Sequence, residues 1–240
     1  MSDSHLRGDH GSGSTPPGRP ASSGPAGPGR PKDPAKRAAI LESARLLFLQ
    51  HGFDGVSMDQ IAAAASVSKL TVYSHFGDKE NLFAAAVGSY CELQLPHALF
   101  DRASGAPLRE HLLEIARAFH AMASSEEAIG ALRMLSAPQL ADSPVVRTFW
   151  EAGPARIHQE LAALLKRRAE LGELRLDPEN AAELARAAGQ LLALLKGEPH
   201  ARRLLGLEGL AAAEVPAHLA SAVDVFLRAY ASPDQSMRQP

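Results

Sequence analysis

The sequence predicts an all-α chain, with a small three-helix unit in front of a larger helical body. Three observations predict it. Ala and Leu dominate the composition while aromatic residues make up only 5 %, and both Ala and Leu are strong helix formers. Apolar residues recur at helical spacing from Ile40 to Tyr230, with no alternating pattern to compete. Four residues suited to helix N-caps, Asp33, Ser57, Ser68 and Asp78, stand close together in the first third of the chain.

Residues 1–32 are rich in Gly, Pro and Ser, with Leu6 the one large aliphatic. Such a segment buries too little apolar surface to offset its ordering entropy, so a disordered tail is expected. His5 and His10 in this tail do not amount to a metal site. Asp33-Pro34 then reads as an N-cap followed by proline in the first turn. Ile40, Leu41, Ala44, Leu47 and Phe48 form the inner stripe of the first helix, and Gly52 ends it. Ser57 with Gln60 three positions on is a capping box opening a helix at Met58 that runs to about Ala64. Ser66 and Val67 form a tight turn, Ser68 caps a third short helix, and Asp78 caps a fourth that fades near Pro96.

The remainder is helical throughout. Leu108, Leu112, Ile115, Phe119 and Met122 make one stripe, and a shorter helix is expected at 126–137. Others open at Ser143-Pro144, at Pro154 and at Asp177-Pro178, the last stopping at Gly197. A final helix spans about 216–231, and residues 233–240 form a second tail.

Bulk properties narrow the function. The chain has 240 residues, 45 % of them apolar, and a formal net charge of −2. That charge argues against non-specific coating of nucleic acid but leaves specific binding open, since what matters is where the cations sit. Six Lys/Arg against three Asp precede residue 40. The single cysteine, Cys91, excludes an intrachain disulfide and reads as a small buried residue, with a redox role as the alternative. No apolar run reaches the roughly 20 residues of a membrane span. No N-terminal signal segment is evident, so a cytoplasmic location is expected.

Three short, separately capped helices around a tight turn are what a helix-turn-helix requires: the second of the pair must be small enough to enter a major groove about 12 Å wide. Here that helix is about Lys69 to His75. The run from Val67 to Phe83 (VSKLTVYSHFGDKENLF), with the upstream stretch Ala44 to Ala64, resembles the tetracycline-repressor-like (TetR/AcrR) family of transcriptional regulators. Ser66 departs from the glycine usual in that turn. The resemblance implies DNA contacts that the side chains suit. Ser57 and Ser68 at helix N-termini donate to phosphate, and Tyr73 and His75 anchor the backbone. Lys79 adds a cation in a first turn already favourable to anions. Lys69 and Thr71 are the candidates for base edges. Alternatives remain at this point: Tyr73 as a core residue, His75 as a helix C-terminal cap. Leu70, Val72 and Phe76 are assigned to the core. Arg30, in Gly29-Arg30-Pro31-Lys32, is a candidate for the minor groove or simply part of a solvated basic linker.

The C-terminal portion resembles the AefR-like effector domain, on Phe149-Trp150-Glu151-Ala152-Gly153-Pro154, Gly172-Glu173-Leu174-Arg175 and Leu194-Leu195-Lys196-Gly197. This implies a small-molecule-responsive body and a homodimer packed through the last two long helices, about 178–196 and 216–231. The expected organisation is a DNA-binding unit at 33–80 and an effector-binding and dimerisation unit at 81–232. Phe119, Met122, Met134, Phe149 and Trp150 are candidates for a concave apolar ligand site, with plain core packing as the alternative. The function expected is a dimeric repressor of a palindromic double-stranded DNA operator, released by a small molecule. No cofactor, metal or membrane partner is expected. No enzyme motif is found; His111 and His120 flank Glu114 but lie too far apart to share one helix face. A regulator that binds only a protein partner is the remaining alternative.

Overall fold

In the computed structural model, residues 33–101 and 106–233 are described; the tail expected at 1–32, with Arg30, and that at 233–240 apart from Pro233 lie outside the described residues. Local hydrogen bonding sets the first four helices. Asp33 accepts from the Ala35 amide and caps α1 (Pro34–His51), which ends at Gly52 with φ 73°. Ser57 and Gln60 complete their capping box at α2 (Met58–Ala64). Ser68 accepts from Thr71 at the start of α3 (Lys69–Phe76), and Asp78 from Asn81 at the start of α4 (Lys79–Gln94). Ser66, in the turn before α3, has φ 53° and is the one non-glycine residue at positive φ among the described residues. Serine therefore keeps the left-handed turn, at a cost of roughly 1 kcal/mol relative to glycine.

A short α5 (His97–Phe100) follows, then α6 (Leu108–Ala123), α7 (Glu126–Leu135) and α8 (Pro144–Ala152). After these come α9 (Pro154–Glu170), α10 (Ala181–Leu204) and α11 (Val215–Tyr230). Two differences from expectation stand out. α10 begins after Asn180, whose side chain accepts from the Glu183 amide, while Asp177 caps only a preceding turn by accepting from Glu179. The break expected at Gly197 is present (φ 54°, ψ −166°), but helical structure resumes beyond it to Leu204. The described residues contain no strand, only an isolated antiparallel bridge between Leu174 and Ala231.

Two apolar cores form. One gathers Ile40, Phe48, Ile61, Val72 and Phe83 of the first four helices, with Leu135 and Val145. The other runs from Cys91 through α6, α9, α10 and α11 to Phe226. α4 serves both: Leu82, Phe83 and Ala86 face the first, Cys91 the second. Inside the second core lie two polar side chains, His111 and Arg168, at 1 % and 2 % exposure. Arg168 donates to Glu173 at 2.9 Å, to His111 Nδ1 at 3.0 Å and to the Ala106 carbonyl at 3.3 Å. Arginine only donates, so His111 Nδ1 accepts and its Nε2 proton goes to the Leu99 carbonyl at 2.7 Å. His111 is thus a bracing residue of the core.

Candidate nucleic-acid interface and interior cavity

α3 has eight residues, about 12 Å of helix, the width of a major groove. Val72 and Phe76 hold it to the core and are buried. Leu70, expected in the core, is instead 78 % exposed. It lies two positions from Val72, which puts it on the opposite side of a 3.6-residue helix. An exposed leucine flanked by Lys69 and Tyr73 offers an apolar contact to a thymine methyl. The signal was present in the period of the helix once Val72 was placed inside.

The polar candidates divide into free and engaged groups. Tyr73 is 41 % exposed and Lys69 is exposed, both on the outer face. Lys69 reaches back to Asp59 of α2 at 2.9 Å, which raises its pKa. Thr71 is half-buried, and its hydroxyl shares a 2.8 Å hydrogen bond with that of Ser68. The Ser57 hydroxyl donates to Gln60. All three hydroxyls therefore serve helix capping first. His75 is half-buried, with Nδ1 enclosed and without a partner, which leaves Nε2 as its available nitrogen.

Lys79, expected to offer its cation to phosphate from the first turn of α4, is engaged within the chain. Its ammonium turns inward, donating to the carbonyls of Phe53 at 3.0 Å and Val56 at 3.2 Å and lying 4.3 Å from the centre of the Phe53 ring. It ties the α1–α2 turn to α4, because those carbonyls have no helical partner. Two cations that sequence reasoning did not single out, Lys36 and Arg37, are exposed in the first turn of α1, and Arg37 stands over the Phe76 ring at 5.4 Å.

Asp59→Asn is expected to raise DNA affinity about threefold across all sequences and to steepen its salt dependence, since it frees Lys69 and removes a negative charge from the phosphate-facing surface. Fluorescence anisotropy over a salt series reads both. Weaker binding would show that Asp59 orients Lys69 instead.

Above this surface lies a cavity of about 690 Å³. The structure brings Phe119, Met122, Met134, Phe149 and Trp150 together on its wall, where Trp150 is 58 % exposed. Sequence reasoning missed the rest of the wall: Phe48 and Leu49 come from α1, and Phe83, Ala86, Val87 and Tyr90 from α4. Phe83 meets Phe48 edge-on at 5.2 Å and Phe53 at 5.4 Å. Arg45 of α1 pairs with Glu127 of α7 and with Glu42 at 2.6 Å, and these carboxylates hold its guanidinium firmly charged. Cys91 also lines the cavity; burial pushes its thiol up to about 11, so it stays protonated at neutral pH. Among the described residues no cluster of His, Cys, Asp or Glu is arranged to hold a metal ion, and no helix is long and apolar enough to cross a membrane.

A profile of bacterial regulatory proteins of the tetR family matches residues 40–86. A second, of the AefR-like transcriptional repressor C-terminal domain, matches residues 110–232. The chain belongs to the TetR family. Its relatives include the HTH-type transcriptional repressor AcnR of Corynebacterium glutamicum, 28 % identical over 145 residues, which are 59 % of this chain and 70 % of that one. Two solved structures are similar. One is a TetR-family transcriptional regulator from Mesorhizobium loti, 27 % identical with a TM-score of 0.67, covering 82 % of this chain and 97 % of that one. The other is the flavonoid-responsive regulator FrrA, 29 % identical with a TM-score of 0.64, covering 84 % and 100 %. TetR-family membership makes this chain a DNA-binding transcriptional regulator, not an enzyme.

Proposed function

We propose that this TetR-family protein is a homodimeric repressor that holds a palindromic operator with α3 and lets go when a small, largely apolar molecule fills the cavity. The observation that carries this reading is the cavity wall: α4, which packs on α3, and α1, which packs on α2 and α4, are also two of its sides. A ligand that favours one spacing of these helices shifts the spacing of the two α3 helices of a dimer, and so the affinity for DNA. Response to a small molecule is also the named property of FrrA.

Residues 33–80 then act as the DNA-binding unit and residues 81–232 as the sensing and pairing unit, with α4 the shared part. Lys69, Leu70 and Thr71 face bases; Tyr73, His75, Ser57 and Ser68 face phosphates, and Lys79 supports them from behind. Pairing through α10 and α11 uses their outward small and apolar residues, Ala182 and Ala193 on one and Ala217 and Val225 on the other, all exposed in the single chain. A two-fold axis there sets half-sites about 34–36 Å apart.

The test is footprinting of the purified protein on fragments of its own genome, repeated with a small-molecule library. A symmetric footprint of two half-sites one turn apart, lost on adding at least one compound, is expected. Failure to recover any specific fragment, or protection of a single half-site, overturns the proposal.

A further inference from the structure

The cavity wall is chemically lopsided. Most of it is aliphatic or aromatic, and its charged side chains are Arg45, Glu127 and Lys196. Glu127, the one carboxylate among the described lining residues, is paired with Arg45, which it shares with Glu42. Lys196 forms no ion pair with any described residue and is exposed at the rim. The wall also carries two imidazoles: His200, beyond the break in α10 and near Lys196, and His158 of α9.

These imidazoles are placed rather than incidental. The His158 ring lies over Gly189 of α10, where a Cβ would come within 3.2 Å of its Nε2. Glycine leaves the room it occupies. His200 Nδ1 is enclosed and has no hydrogen-bond partner. Burial, followed by the charges of Lys196 and other neighbouring cations and imidazoles, holds His200 below the usual imidazole range. The carboxylate of Glu126, on the adjoining α7, is already taken by Arg203 at 2.6 Å. The wall thus presents Lys196 with the His200 imidazole near it, and no unpaired carboxylate among the described lining residues.

We infer that the cavity takes an amphipathic organic anion, its apolar body among Phe83, Phe119, Phe149 and Trp150 and its acidic headgroup on Lys196 and His200. This rests on the sensor reading above and narrows the ligand class. A headgroup at the rim keeps part of its hydration while gaining charge-assisted hydrogen bonds, and the apolar body supplies affinity by leaving water. A cationic ligand would meet Lys196 with no opposing carboxylate, and a neutral one would leave these donors unused.

A matched pair of probes tests it: 8-anilinonaphthalene-1-sulfonate and N-phenyl-1-naphthylamine differ only by the sulfonate. Trp150 is the sole tryptophan of the chain and lines the cavity, so energy transfer from it reports binding near this wall, and the Lys196 variants locate it. The sulfonate probe is expected to bind, Lys196→Met to weaken it about tenfold or more, and Lys196→Arg to restore most of that loss, while the neutral probe is unmoved by either variant. Lys196 is exposed, so neither substitution threatens the fold. Equal effects of Lys196→Met on both probes, or none on the sulfonate, overturn the anion assignment. If the neutral probe alone enters and releases operator DNA, the anion assignment falls and the sensor reading stands. If neither quenches Trp150 nor alters DNA binding, both fall.

Discussion

Replacing Arg168 by alanine is expected to cost about 3–5 kcal/mol of folding free energy, measured by urea denaturation. The guanidinium joins Glu173, His111 and the Ala106 carbonyl deep in the second core, and His111 passes the chain of bonds on to Leu99. Removing it strands a half-buried carboxylate and a buried ring nitrogen at once. Arg168→Lys is expected to recover only part of the loss, because a single ammonium cannot make the forked contacts of a planar guanidinium. A loss under 1 kcal/mol for Arg168→Ala would mean that solvent reaches these groups and that the network is not a brace.

Phe83→Ala is expected to cost a similar amount, about 3–5 kcal/mol, as a buried aromatic lost from a packed core, and to weaken operator binding with it. Phe83 touches both neighbours of a three-ring cluster, Phe48 on α1 and Phe53 in the α1–α2 turn. Lys79 rests on the Phe53 ring. Without Phe83 the ring beneath Lys79 loses its support, and the cavity opens toward the DNA-binding helices. Phe83→Leu, which keeps most of the volume, is expected to recover most of the stability. DNA affinity measured at a temperature where each variant is fully folded separates the two effects. Unchanged affinity there would show that the cluster stabilises the unit without positioning α3.

Much of this was legible in the sequence, because capping is local. Asp33, Ser57, Ser68 and Asp78 each bond an amide within three residues, so their spacing alone gave the starts of α1 to α4. Where two caps stood close together, at Asp177 and Asn180, the start of α10 was misplaced, since which one opens the helix depends on the turn between them. Leu70 was misread because hydrophobicity does not say which side of a short helix faces inward. The five apolar residues expected around a ligand do share one cavity, yet its α1 and α4 walls and its basic end come from chain segments distant in sequence. Arg168 and His111 are 57 positions apart, and no local pattern marks that pairing. The engagement of Lys79 was hidden for the same reason: the carbonyls that hold it belong to a turn 26 and 23 residues earlier.

The small bridge after α11 has a mechanical consequence. The Arg175 amide donates to the Tyr230 carbonyl at 2.7 Å, and the Ser232 amide to the Glu173 carbonyl at 3.0 Å. The Arg175 side chain adds a bond to the Ala229 carbonyl. Together they pin the lower end of α11 to the hairpin joining α9 and α10. A slide of α11 by one turn, 5.4 Å along its axis, would tear all three bonds. α11 is therefore moored at its foot, and travel along its own axis costs all three of these bonds.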